Sequence, residues 1–519
     1  MPKRLQSSQY SAGALALLLS ILLVHCALIE RAESKSNYNN NKDNPTSDSS
    51  FEQLAATSTA EAMSSKACED GDLDVKEQQV LVKPLLHFTS SIYGQIRQDK
   101  KNAILSPLSI HAALNLLALG AEPQLKTDTE LRKALGYSDE ELKRSSLVYN
   151  KAYKSMIANY KNLTKRSTEA SKQVGSDEVF QNSPALEPVI DFYNTLITKR
   201  AKPLVREYGN QTREYFHSSV EQIDQGKPET ISQVVDKINN WAKEAGFEQA
   251  ILEANDFSGD FGAMLVSAVR VQGYWFEDFG ETDREKVFHN FGLKEKAVKG
   301  ARLCNSRLRG KFVEFCAPNM SQYGDHQSWM VKSVDESLFK ELSELKFRAI
   351  QIPLRGELSF TILEPLTSGQ GNELAELTKK LLDQNGSKLT KTLGVLGESS
   401  TNIEFDYFCM PKFGFESDID LIEPLKAIGV GSIFNRSTSE LKRVLEGDRV
   451  YVDRARHQAL IDVNKSGIKA AGVTTIRMMA LSSLNKSVKY HVHVENPFMF
   501  IIRHKQIPLF VGQLVELKQ

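Results

Sequence analysis

The chain has 519 residues with 65 basic and 65 acidic side chains, so no net charge steers it toward nucleic acid or an anionic membrane surface. Apolar residues make up 41 % and charged residues 25 %, a balance that builds a globular core and excludes a fibrous or wholly disordered chain. Length alone allows one large domain or two to three average ones.

Lys3 and Arg4 precede an apolar run over 12–29, with small residues near Cys26 and Ala27. This is the layout of a secretory signal peptide, so residues 1–26 are expected to be removed and the protein secreted to the extracellular space. A single membrane anchor is the alternative, because the run approaches spanning length; no basic cluster follows it, which favours cleavage. Residues 27–79 form the next stretch, and most of it is Asn, Ser, Asp, Thr and Lys. It cannot bury enough surface to offset its ordering entropy and reads as a disordered extension.

Val80, Leu81, Leu85, Leu86, Phe88, Ile92 and Tyr93 then recur at helical spacing and open the folded domain, 80–519. Residues 102–110 read as a short strand running into a helix. Ser106 is its N-cap, Pro107 its first residue and Gly120 its end. Residues 139–185 are rich in Lys, Ser and Glu, helical over 142–160 and loose beyond. Strand-like runs rich in Val, Ile, Phe and Tyr follow at 192–198, 264–274, 347–363, 401–411, 458–463, 490–494 and 498–503. Helices such as 231–245 and 421–428 separate them. Strands and helices mix without regular alternation, so an α+β class is expected.

Enzyme signatures are missing: there is no G-x-S-x-G elbow, H-E-x-x-H or phosphate-binding G-x-x-x-x-G-K-[ST]. Gly429 and Gly431 lack the third glycine of a dinucleotide fingerprint. His491 and His493 share one face of a strand, where a surface strand explains them more simply than a metal. Neither metal nor cofactor is expected. Besides Cys26 there are Cys68, Cys304, Cys316 and Cys409, which allow three pairings; a buried free thiol is an equal alternative for Cys409. Asn162, Asn210, Asn319, Asn385, Asn435, Asn464 and Asn485 are possible glycosylation sites.

Separated segments resemble the serpin family in order: Asn102, Ser106-Pro107 and Ser109-Ile110; Ile238-Asn239 with Trp241; Gly273-Tyr274-Trp275 with Phe279; and Met410-Pro411-Lys412-Phe413. His457 through Asn464, Gly467 with Ala470-Ala471, Asn496-Pro497-Phe498 and Pro508-Leu509-Phe510 complete the series. Ser267 stands where the family usually has Asn. The loose version Gln351-Ile352-Pro353-Leu354 and an insertion near 161–186 are further departures.

The resemblance, to a secreted and invertebrate-type member, implies three β-sheets, eight or nine helices and an exposed reactive-centre loop at about 465–489. A protease cleaves that loop, which then enters the central sheet as an extra strand and holds the protease covalently. It also implies a shutter and breach at Asn102, Ser106, Ser109, His457 and Trp275. The hinge falls on Lys465, Gly467, Ile468, Ala470, Ala471, Gly472 and Thr474.

Alternation supports insertion on its own terms. Ile468, Ala470, Gly472, Thr474, Ile476 and Met478 fall on one face, all small or apolar. Lys469, Ala471, Val473, Thr475 and Arg477 fall on the other, which carries both charges. No proline interrupts 465–481. Against this, Lys465, Ile468 and Lys469 depart from the family's inhibitors, Gly472 weakens a strand, and a glycan at Asn464 would obstruct the sheet.

By the family's count the scissile bond joins Leu481 and Ser482, favouring a chymotrypsin-like or elastase-like serine protease; Arg477 or Lys486 would redirect it to trypsin-like enzymes. Lys143, Arg144, Lys151, Lys154, Lys161, Lys165 and Arg166 are a possible glycosaminoglycan patch, with a solvated helix the commoner explanation. The expected product is a monomeric extracellular protease inhibitor. A non-inhibitory carrier or chaperone and a membrane-anchored binding module are the alternatives.

Overall fold

A computed structural model describes residues 79–137, 147–173, 187–259, 261–282, 287–316, 336–366, 369–398, 403–469 and 490–518. The expected signal peptide, the N-terminal extension, Cys68, Asn319, Asn485, the Leu481–Ser482 bond and hinge residues Ala470, Ala471, Gly472 and Thr474 lie outside them.

The chain begins with α1 (Val82–Ile96), β1 (Ala103–Leu105), α2 (Pro107–Gly120), α3 (Lys126–Ala134) and α4 (Leu147–Gln173). Next come β2 (Val189–Lys199), α5 (Arg206–Phe216), β3 (Ser219–Ile223), α6 (Pro228–Ala245), β4 (Ala263–Tyr274) and β5 (Gly280–Thr282). The ribbon β6 (Val287–His289) and β7 (Ala297–Lys299) precedes β8 (Arg302–Asn305), β9 (Arg309–Phe315), α7 (Glu336–Ser343), β10 (Phe347–Pro353) and β11 (Leu358–Pro365). Then follow α8 (Glu373–Glu398), β12 (Ile403–Glu404), β13 (Tyr407–Pro411), β14 (Phe413–Asp420) and α9 (Ile422–Ala427). The last are β15 (Arg454–Asn464), β16 (Gly467–Lys469), β17 (His491–His493), β18 (Phe498–His504) and β19 (Ile507–Leu514).

The architecture is α+β, as the mixed pattern requires. A central six-stranded sheet runs β14-β15-β16-β4-β2-β3, a seven-stranded sheet runs β1-β19-β18-β11-β10-β9-β12, and a four-stranded sheet runs β17-β13-β8-β5. Nine α-helices lie among the described residues. One apolar core joins the back of the central sheet to the seven-stranded sheet and α2. A second, smaller core lies between the other face of β4 and α6, through Met264, Val266 and Ala268 against Val234, Ile238 and Ala242.

Several local expectations need correction. The apolar run 347–363 is two strands, because Gly356 and Glu357 take positive φ and turn the chain back on itself. The run 401–411 likewise divides into β12 and β13. The stretch beyond Tyr160 is not loose: α4 continues to Gln173, taking in the start of the 161–186 insertion. Cys409 is no free thiol. It lies opposite Cys304 in the β13–β8 register and the two form a disulfide.

Candidate functional site

The parallel pair β4 and β15 forms the middle of the central sheet. Met264 to Val269 pair with Arg454 to Ala459, and there the pairing ends. Above that point β16 lies between the two strands, antiparallel to both: Asp462 faces Lys469, Val463 faces Ile468 and Asn464 faces Gly467, while Gly467 and Ile468 face Tyr274 and Gly273. The sheet is therefore open at one end by one three-residue strand and closed below it.

Local chemistry explains why the chain turns in here. Asn464 accepts from the Ser466 amide at 3.1 Å, closing a tight turn between β15 and β16. Gly467 is required by close approach, since a Cβ there would lie 2.0 Å from the Gly273 carbonyl oxygen. Ile468 is 3 % exposed within the main core, so its register position faces inward. The bulky residue at the hinge is thus accommodated rather than displaced.

Trp275, 1 % exposed, closes over this turn. Its indole Nε1 donates to the Asn464 carbonyl at 2.9 Å and its amide to the Ser466 carbonyl at 3.1 Å. Phe279 donates its amide to the Lys465 carbonyl at 2.9 Å and packs edge-on against the indole.

Below the wedge a buried polar cluster crosses the β4–β15 seam. Ser106 caps α2 through its side chain, and its own amide donates to His457 Nε2 at 3.0 Å. That places the ring proton on Nδ1, which donates to the Ser267 carbonyl at 3.1 Å. The Ser109 hydroxyl lies 2.8 Å from that of Ser267 and 3.0 Å from the Asn194 carbonyl oxygen. Burial pushes His457 down to about 3, so the ring is neutral at physiological pH. The cluster ties α2, β2, β4 and β15 together where the two seam strands meet.

Ser106, Ser109 and His457 thus come together, and Asn102 does not join them. It clasps the chain after β19, donating to the Glu516 carbonyl at 2.7 Å and accepting from the Val515 amide at 2.7 Å. Asn194 and Ser267 are members that sequence reasoning missed. The available signal was polar side chains at inward positions of apolar strands.

The far end of the loop is held differently. His491, Val492 and His493 pair in parallel with Tyr407, Phe408 and Cys409. Arg302, 1 % exposed, donates to the Val494 carbonyl at 2.8 Å. Arg348 donates to the His493 carbonyl and forms an ion pair with Glu364 at 2.6 Å. Glu364 also accepts from the amides of Glu495 and Asn496, each at 3.2 Å. Burial pushes its carboxyl upward, and the Arg348 guanidinium opposes that shift. Neither arginine nor Glu364 was expected as a site residue; the cue was charge inside apolar strand runs.

The proposed basic patch is largely neutralised among the described residues. Lys154 pairs with Glu214 at 3.0 Å, Arg166 with Glu187 at 3.5 Å and Lys165 with Glu169 at 3.9 Å, while Lys151 is exposed. Lys143 and Arg144 lie outside them. Asn162, Asn210 and Asn435 are exposed, Asn385 lies in α8, and Asn464 is half-buried with its amide donating to Asp462 at 3.0 Å. His491 is exposed and His493 half-buried, and the described residues contain no cluster suited to a metal. Among those residues, no helix is long and apolar enough to cross a membrane; the 12–29 run lies outside them.

A family model described as Serpin (serine protease inhibitor) matches residues 84–300 and 316–517. Serpin B3 of Homo sapiens is 23 % identical over 434 residues, covering 82 % of this chain and 96 % of that protein. Antichymotrypsin-2 of Bombyx mori is 24 % identical over 433 residues, covering 82 % and 95 %. The crystal structure of Serpin48, a highly specific serpin in the insect Tenebrio molitor, superposes with a TM-score of 0.58 at 19 % identity, covering 85 % of this chain and 99 % of that one.

Proposed function

The chain belongs to the serpin family, and we propose that it is a secreted suicide-substrate inhibitor of an extracellular serine protease. Family membership supports protease inhibition in general, with no enzymatic activity of its own. The observation that carries the finer reading is the wedge at β16, already antiparallel to β15 and β4 above a seam held by their parallel pairing and the polar cluster around His457. Continued zippering of residues beyond Lys469 replaces one parallel ladder by two antiparallel ones. Each added backbone bond contributes about 1 kcal/mol net, so the spent form lies well downhill and the intact one persists kinetically.

In this mechanism the protease attacks the Leu481 carbonyl and its serine forms an ester with it, releasing the Ser482 amine. Residues 470–481 then enter the sheet before the ester hydrolyses, carrying the protease with them. The seam must part as they do, which breaks the Ser267–His457 bonds; Trp275 stays over the entry turn. Glu364, Arg348 and Arg302 keep the far fragment seated.

Leu481 suits a deep apolar pocket, and the resemblance to a protein named Antichymotrypsin-2 is in keeping with a chymotrypsin-like target. Incubation with chymotrypsin-like, elastase-like and trypsin-like enzymes should give an SDS-stable covalent complex with the first or second. Mass spectrometry should find a released peptide beginning at Ser482. Simple cleavage with no complex for any of the three would overturn the proposal.

A further inference from the structure

The C-terminal end of α2 meets α3, the first turn of α4, the second half of α5 and the segment around Arg443, and a cavity of about 130 Å³ is left between them. Its walls are fixed by backbone. The Arg443 amide donates to the Gly120 carbonyl at 3.0 Å and the Val205 amide to the Val444 carbonyl at 2.9 Å. Gly120 permits this approach, because a Cβ there would lie 2.4 Å from a Val444 methyl. The Tyr208 hydroxyl donates to the Leu116 carbonyl at 3.0 Å and ties α5 to α2. Tyr153 seats α4 by bonding His111 of α2 and packing on Phe216 of α5.

The chemistry of the lining is one-sided. Its polar side chains are Arg132, Asn150, Gln211, Tyr215 and Arg443, and no carboxylate stands among the described residues that line it. Asn150 is 4 % exposed, yet its side-chain amide has no hydrogen-bond partner in the protein. Arg132 gives its Nε to Asp128 at 2.6 Å, which leaves both Nη groups without an acceptor. Arg443 meets Glu207 at 3.5 Å, with both side chains exposed, and Glu207 also takes the Gln211 amide at 3.1 Å. The rest of the lining is apolar, with Leu119, Pro123 and the exposed Leu147 in it.

The cavity thus offers donors in excess and lacks an acceptor. A buried amide with nothing to bond is costly, and guanidinium forks with spare donors select planar carboxylates. Asp128 and Glu207 offset most of the arginine charge, so the site suits one negative charge rather than a polyanion. Its volume lies below the roughly 300–1,000 Å³ usual for drug-sized ligands, which restricts the occupant to a smaller molecule.

We propose that this cavity binds a small monocarboxylate with a short apolar body. The carboxylate takes the Asn150 amide and the arginine donors, and the body lies against Leu119 and Pro123. This inference does not depend on the inhibitor reading.

The test titrates the full-length protein with sodium benzoate, following the heat of binding and the melting temperature. Benzoate should bind saturably at one site and raise the melting temperature as it does so. Benzamide, of the same shape but uncharged, should bind at least about tenfold more weakly, and so should inorganic phosphate, which has no apolar body. Arg443→Gln breaks only an exposed pair, so the free protein should melt like wild type while benzoate binds at least about tenfold more weakly. Asn150→Leu removes the unbonded amide and fills the space; the free protein should melt at or above the wild-type temperature and lose benzoate binding. A merely structural Asn150 would lower the melting temperature instead.

No saturable benzoate binding, equal binding of benzamide or phosphate, or wild-type affinity in Arg443→Gln would each overturn the proposal. So would a folded Asn150→Leu that still binds benzoate. If Asn150→Leu does not fold, the Arg443→Gln comparison decides.

Discussion

The two ends of the proposed reactive loop are attached by opposite kinds of chemistry. The near end, β16, is held by backbone pairing on both sides, by a glycine that allows a carbonyl to approach and by an apolar residue dropped into the core. The far end, β17, is a three-residue edge strand fastened by buried charges: Arg302, Arg348 and Glu364 bind carbonyls and amides from His493 to Asn496. A ladder can be lengthened residue by residue at little cost in register. A buried ion pair cannot slide, because removing either partner strands the other in low dielectric. In the proposed mechanism, the first end extends and the second stays.

The largest expected effect comes from breaking the far end. Glu364→Ala leaves Arg348, whose side chain is 15 % exposed, without its partner and two amides without an acceptor. A loss of about 3–5 kcal/mol is expected in urea unfolding. Hydrogen exchange should rise at residues 491–496 and stay unchanged at Gly467–Lys469. If both ends loosen equally, the division between them is wrong.

Gly467→Ala attacks the near end. Its Cβ would collide with the Gly273 carbonyl and drive β16 from the sheet, costing about 1–3 kcal/mol. Covalent complex formation should drop at least as much as stability does, with the β17 pairing intact. A variant that still forms complex at the wild-type rate would show that the wedge is dispensable.

Acid should weaken the protein at three buried histidines: His457 at the seam, His111 in α2 and His504 in β18. Burial lowers His457 to about 3 and His111 and His504 to about 4, from 6.5. The unfolded chain therefore binds more protons below about pH 6.5; stability is complete above that value and is lost toward pH 3–4, each histidine contributing up to about 1.4 kcal/mol per pH unit. Urea midpoints measured between about pH 7.5 and about pH 4.5 check the sign. His457→Gln should flatten the dependence, and an unchanged slope would remove that residue from the account.

The smallest effect is expected at the seam hydroxyls. Ser109→Ala removes one member of the cluster and should cost about 1 kcal/mol while speeding loop insertion after cleavage. Slower insertion would mean that the cluster guides the parting of β4 and β15 rather than resisting it.

Much of the near end was legible. Alternation placed Ile468 on the small, apolar face and Lys469 on the charged one, and the structure buries Ile468 and sets Lys469 opposite Asp462. The Ser106–Pro107 start of α2 was likewise readable, because capping and proline geometry are local. The far end was not. Arg302, Arg348 and Glu364 sit in three different strands, and no local pattern in any one of them announces that they meet.

The same division runs through the whole protein. Sequence by itself determined the α+β class, the Ser106–Pro107 start of α2 and the family, since these follow from period, propensity and chain order. Tertiary structure alone chose Cys304 for Cys409, divided the 347–363 run into two strands, brought Asn194 to Ser109 and Ser267 to His457, and sent Asn102 elsewhere. Those outcomes depend on which strands become neighbours, and strand pairing joins residues hundreds of positions apart through contacts no short window of sequence contains.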